Sequence, residues 1–245
     1  MPERDRIEAE PPVRPMTFLD HFEELRKRLF YSLIALAVGA VAAFFFVRRV
    51  IDLLTRSVPN LVFLAPSEAF VVQLKVALVV GAFVASPVIF YQFWRFVRPA
   101  LRPKEAKYIV SAVFFSTLFF AGGVAFAYLV MVPFAMKFLL SYETEKLHAM
   151  LSIKNYVGTV GAFLLAAGLV FQLPVAVFFL TKFGIVKPRM LMKNQRIAIV
   201  IIFVVAAILS PPDVFSQIMM AIPLLILYEL SIVGSYIAAG RKKPV

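Results

Sequence analysis

Glu229 stands in an otherwise apolar run, 16 residues after Asp213 and 12 before Arg241. Those spacings put it about 24 Å and about 18 Å from the two ends of a helix. An ionisable group at such depth in a membrane costs on the order of 2.5 to 3.5 kcal/mol, so its presence points to a task. Gln172 is similar, about 15 Å along a helix from Lys182 and two residues before Pro174. A role in hydrogen-bonding a neighbouring helix and a role facing a ligand are equally open for it. Lys75 sits early in an apolar run and is expected to snorkel to the headgroups. Asp213, behind Pro211 and Pro212, suits the N-cap of the last helix, and Ser67 with Glu68 suits that of an earlier one. Glu105 is the only acid among Arg95, Arg98, Arg102, Lys104 and Lys107. It either relieves crowded positive charge or presents one carboxylate, flanked by Phe96 and Leu101, to an incoming cation. Glu24 is spaced to bridge Arg28, and Glu23 to bridge Lys27.

Several chemistries are excluded by residue type. Cysteine is absent, and the two histidines, His21 and His148, are 127 positions apart, so neither a disulfide nor a metal centre is expected. No cofactor is called for. An intramembrane protease would need histidines for a metal, or a serine with a base at membrane depth, and neither is found. The chain is therefore not read as an enzyme.

The elements that must carry these residues are apolar helices. Of 245 residues 62% are hydrophobic and 16% charged, and the apolar ones come in long blocks. Lipid is the solvent such blocks need. Residues 1–16, rich in Glu, Arg and Pro, are expected to be a flexible tail. Phe18, Phe22, Leu25 and Leu29 then recur at helical spacing, which predicts an amphipathic helix over 17–28 lying along the membrane surface. Spans follow at about Leu29–Val47, Ala69–Phe93, Tyr108–Val132, Tyr156–Leu180, Ile197–Leu209 and Val214–Ala239. A second amphipathic segment is expected over 133–155. Pro87, Pro174 and Pro223 should bend their helices. The expected architecture is thus all-α: one six-span membrane domain over 17–240, with a short tail at 241–245. The span Ile197–Leu209 holds 13 residues, about 20 Å against a hydrocarbon core of about 30 Å. The bundle is read as bent, with short fifth and sixth helices and local bilayer thinning around them.

Charge sets the expected orientation. Nineteen of the 26 Lys and Arg fall in the two tails, the amphipathic segment and the loops at 95–107 and 182–196. The positive-inside rule makes that side cytoplasmic, with both termini there. The same pattern explains the formal charge of +12 without nucleic acid. A proton-coupled solute transporter using Glu229 and Gln172 remains the rival reading, although no internal repeat supports alternating access.

Four segments carry a resemblance: His21–Leu29 (HFEELRKRL), Ser86–Glu105 (SPVIFYQFWRFVRPALRPKE), Phe171–Pro174 (FQLP) and Ser210–Gln217 (SPPDVFSQ). Together, in order and spacing from about Met16 to Gly240, they resemble the TatC family, the core receptor subunits of the twin-arginine protein translocase. The resemblance implies an oligomeric complex in the cell inner membrane. There twin-arginine signal peptides of folded precursors bind at the cytoplasmic face, and TatA- or TatB-type single-span subunits assemble for export driven by the proton-motive force. It places arginine recognition at Glu24 and Glu105, with Arg26, Phe96, Pro99 and Leu101 completing the motif. It puts the partner spans beside Gln217 and Glu229, with Asp213 and Gln172 in the same polar set. The family often has glutamate where this chain has Gln172.

Overall fold

Apolar runs of about twenty residues can satisfy their backbone in lipid only as helices. The computed structural model describes residues 18–56, 58, 61–100, 107–141, 150–209 and 214–240. The expected tails at 1–16 and 241–245 lie outside them. In chain order come α1 (Phe18–Phe44), α2 (Val47–Thr55), β1 (Leu61–Val62), α3 (Glu68–Val97) and a 3-10 turn at Arg98–Ala100. Then follow α4 (Ile109–Phe126), a π-helical turn at Ala127–Met131, α5 (Val132–Leu140), β2 (Leu151–Ser152), α6 (Ile153–Val170) and α7 (Gln172–Lys182). The chain closes with α8 (Pro188–Lys193), α9 (Gln195–Leu209) and α10 (Val214–Ala239).

Among the described residues five helical stretches are long and apolar enough to cross a membrane, and α9 is a shorter apolar helix beside them. Their outer faces expose large apolar side chains, such as Val41, Phe114, Ile201 and Ile226. Water would penalise that surface and lipid does not. One end of the bundle carries the start of α1, the ends of α3, α7 and α10, and Arg95, Arg98, Lys107 and Lys182; we call it the basic end. The other, the capped end, is covered by α2, α5 and the strands. There Leu61 pairs with Leu151 and Val62 with Ser152, in parallel.

Three expectations change. The amphipathic segment is not a separate surface helix, because α1 runs unbroken from Phe18 to Phe44. Ser67 makes no side-chain cap bond; instead the buried Glu68 accepts from the Leu64 amide at 3.1 Å and from the Ser152 hydroxyl at 3.3 Å. The sixth helix is not short: α10 has 26 residues, about 39 Å, whereas α9 has 15, about 22 Å. The apolar stretch of α9 is what is limited in length, and its pairing with α10 starts well inside the latter's end.

The bend expected at Pro174 falls at Phe171, which separates α6 from α7. Proline has no amide to give the Val170 carbonyl, so the ladder opens one turn upstream. Pro133 similarly follows the π-helical turn. Pro87 and Pro223 are carried inside continuous helices.

Helices α1 and α3 pack antiparallel through backbone contact. A Cβ on Gly81 would come 2.5 Å from the Ala40 nitrogen, and one on Gly39 would come 2.7 Å from the Gly81 carbonyl oxygen. Without side chains the two helices reach each other's main chain, and this contact sets which residues meet at the basic end.

Candidate functional site

From Gly39 to Glu24 is fifteen residues of unbroken helix, about 22 Å. The α1–α3 contact is therefore projected to the basic end with little play. There Arg28 donates from Nε and Nη2 to Glu24 Oε1, at 2.7 and 2.5 Å, and from Nη1 to Gln92 Oε1 at 3.1 Å. Glu24 remains 23% exposed, and among the described residues nothing donates to its Oε2. One turn further out His21 stacks on Phe96, centroids 4.5 Å apart and planes 23° from parallel. Arg95 lies 5.7 Å over the Tyr91 ring. The result is a carboxylate with open acceptor capacity beside an apolar ledge and an otherwise cationic rim.

This platform rests on an aromatic cluster. The indole N–H of Trp94, the single tryptophan, donates to Ser116 Oγ at 3.1 Å. Its ring meets Phe179 edge-on at 5.2 Å. Ile109, Ala112 and Val175 complete the buried set. The last turns of α3 are thereby fixed against α4 and α7, which fixes Gln92 and Phe96.

The expected site residues separate into groups. Glu24 and Phe96 come together on the α1–α3 face. Arg26 points outward and is exposed, and Pro99 sits exposed in the 3-10 turn. Leu101 and Glu105 lie outside the described residues, as does Asp213 with its expected cap. The expected Glu23–Lys27 bridge does not form. Gln92 was missed; a polar residue among Phe90, Tyr91, Phe93 and Trp94 is the signal that would have found it. The i,i+4 spacing of Arg28 predicts only a helix-surface partner, yet it also joins α1 to α3.

The intramembrane polar residues are not one site. Gln172 donates to the carbonyl of Ser116 at 3.0 Å, which ties α7 to α4. Of its two open readings, the helix-to-helix bond is the one the geometry supports. Gln217 donates to the Phe203 carbonyl at 3.1 Å and joins α10 to α9. Glu229 accepts from Gln195 at 2.6 Å. It is exposed and level with the start of α9, with about 15 Å of α10 continuing beyond it to Ala239. Tyr228 bonds the Leu191 carbonyl at 2.8 Å, so α8 also lies along this part of α10. Lys75 does not simply reach outward: its Nζ is 3.1 Å from where a Gly158 Cβ would sit, against α6. Among the described residues no group of His, Asp and Glu could hold a metal.

Lipid-facing helices joined by interhelical polar contacts, with a recognition-type patch at one end, define a multi-pass membrane protein. A model of the Sec-independent protein translocase protein (TatC) family matches residues 20–223. The TatC of Desulforapulum autotrophicum is 42% identical over 233 residues, 92% of this chain and 86% of that protein. The TatC of Aquifex aeolicus is 40% identical, covering 94% of this chain and 99% of its own. A crystal structure of the twin-arginine translocase receptor TatC superposes with a TM-score of 0.78 at 40% identity, over 89% of this chain and 99% of that one. This chain belongs to the TatC family, and it is a transport component, a core subunit of the translocase, rather than a member of a catalytic family.

Proposed function

We propose that this chain is the signal receptor of its translocase, lying in the cell inner membrane with the basic end and both termini in the cytoplasm. It binds twin-arginine signal peptides there and works with TatA- or TatB-type single-span subunits to export folded proteins on the proton-motive force. The observation that carries this reading is Glu24, a partly exposed carboxylate held at the α1–α3 junction by Arg28, which in turn donates to Gln92.

A guanidinium takes a carboxylate through a planar fork, and two neighbouring arginines need two carboxylates at a fixed separation. Glu24 supplies one and Glu105 the other. Arg28 already presents a guanidinium to Glu24, so an incoming arginine either uses Oε2 or exchanges with Arg28, which Gln92 retains. His21 and Phe96, with Pro99, offer an apolar ledge for the residues after the pair, Arg26 lines the approach, and the family resemblance adds Leu101 to the same motif. A lysine pair would bind poorly, because an ammonium is a point charge without the fork. The basic surroundings repel cationic peptides in general, so discrimination rests on the two carboxylates.

The partner spans dock along α9 and α10, where Gln217 and Glu229 offer polar contacts and the 15-residue α9 thins the bilayer. Family membership and the scattered intramembrane polar residues leave no support for a solute transporter.

Photo-crosslinking of a twin-arginine signal peptide to the complex tests the receptor site. Glu24→Ala and Glu105→Ala should each weaken crosslinking at least tenfold, and the double variant should abolish export. Normal export by the double variant would sink this reading. Gln217→Leu with Glu229→Leu should disrupt assembly with a single-span subunit on native gels while leaving peptide binding intact.

A further inference from the structure

We propose that the groove between α4, α7 and α10 at the basic end binds an anionic phospholipid, one acyl chain in the groove and the headgroup phosphate on Lys182 and Lys107. The groove holds about 340 Å³ and is walled by Phe115, Phe119, Phe178, Leu230 and Ile237, with Gly234 on its floor. That floor is unfilled: a Cβ on Gly234 would find its nearest neighbour, a ring carbon of Phe178, at 3.9 Å.

An apolar groove in a membrane is always wetted by some chain, and one chain displacing another gains no hydrophobic free energy. Selection must come from the headgroup. At the mouth, Lys182 Nζ lies 3.8 Å from the centre of the Tyr108 ring and 5.6 Å from that of Phe178, itself a groove wall. Lys107 Nζ is 5.3 Å from the same Tyr108 ring. Two ammonium groups thus share one aromatic ring as neighbour, and among the described residues neither pairs with a carboxylate. Each cation is steered by the ring face yet keeps N–H groups for an acceptor. Their mutual repulsion is relieved when a phosphate sits between them. A zwitterionic lipid carries its own ammonium to this place and loses much of the attraction. A hydrophobic partner helix would cover the groove and leave both lysines unanswered, so the charge at the mouth favours lipid.

Trp94 is a built-in reporter, being the only tryptophan and meeting edge-on Phe179, which lines the groove. The full chain is reconstituted in bilayers of phosphatidylcholine with increasing phosphatidylglycerol, one lipid at a time carrying bromine at carbons 6 and 7. Quenching of Trp94 gives the relative binding constant. Phosphatidylglycerol should be preferred about fivefold or more, since one surface lysine contributes about that factor. Lys182→Gln should lower the preference by about fivefold, Lys182→Arg should preserve it, and Lys107→Gln should lower it less. Gly234→Leu, which fills the floor, should reduce quenching by both brominated lipids with helical circular dichroism unchanged. Equal quenching by the two lipids, or a preference surviving Lys182→Gln combined with Lys107→Gln, overturns the proposal. So does unchanged quenching in Gly234→Leu, or a groove emptied of both lipids alike when a single-span subunit is added. Lys107 is exposed and Lys182 half-buried, and neither belongs to the buried core, so the charge variants decide the matter even if Gly234→Leu fails to fold. No signal peptide enters the assay, and a negative result leaves the receptor reading standing.

Discussion

Glu68 at the capped end and Glu24 at the basic end are the same residue type in opposite circumstances. Glu68 is 7% exposed and accepts from a backbone amide and a serine hydroxyl. Around it Tyr128 and Tyr156 bond the carbonyls of Leu53 and Leu54 at 3.1 and 2.6 Å, and the strands close the cap. Glu24 is 23% exposed, held by an arginine four residues along its own helix. The contrast separates a carboxylate whose bonds are spent on the fold from one that has capacity left for a ligand. It also separates effects on stability from effects on binding.

The comparison breaks first if α1 and α3 separate. Gly81→Leu drives a side chain into the Ala40 backbone and should cost on the order of 3 kcal/mol or more, seen as a large fall in the unfolding midpoint in detergent. It should disable the basic end as well, because the same contact aims Glu24. Next, Glu68→Ala leaves the Leu64 amide and Ser152 hydroxyl without their acceptor and should cost about 2 kcal/mol by the same measurement. Signal-peptide affinity should be unchanged; a parallel loss would mean the two ends are coupled. Tyr156→Phe deletes one buried hydrogen bond and should cost about 1 kcal/mol. Smallest in stability, Glu24→Ala should lower it by less than about 1 kcal/mol, as partly exposed ion pairs do. Its effect should be confined to peptide binding, read by crosslinking. If it unfolds the protein as readily as Glu68→Ala, the distinction fails.

Much of the scaffold was legible because the transfer of apolar residues into lipid is a local property of each run. The spans at Ala69–Phe93 and Val214–Ala239 sit within or coincide with helices, and the brevity of α9 follows from counting. Where α1 merged with the amphipathic segment, nothing in Thr17–Arg28 stops a helix, since no proline or glycine interrupts it before Leu29. The site was legible only in part. Glu24 and Phe96 stood out as motif residues, but Gln92 carried no signal beyond being polar among aromatics. Gln172 could not be assigned from the chain alone, because a buried amide is equally suited to a backbone carbonyl and to a ligand.

Composition and periodicity by themselves determined that this is a multi-pass helical protein with one basic side, a short fifth span and few polar groups at depth. Each of those is decided by residues close in sequence, through the cost of exposing apolar surface to water or charge to lipid. Only the tertiary structure decided that Arg28 meets Gln92, that Glu229 meets Gln195, and that Leu61 pairs with Leu151 across ninety residues of chain. Helix rotation and register fix those partners, and they are set by backbone contacts such as Gly39 on Gly81, whose geometry no local pattern encodes.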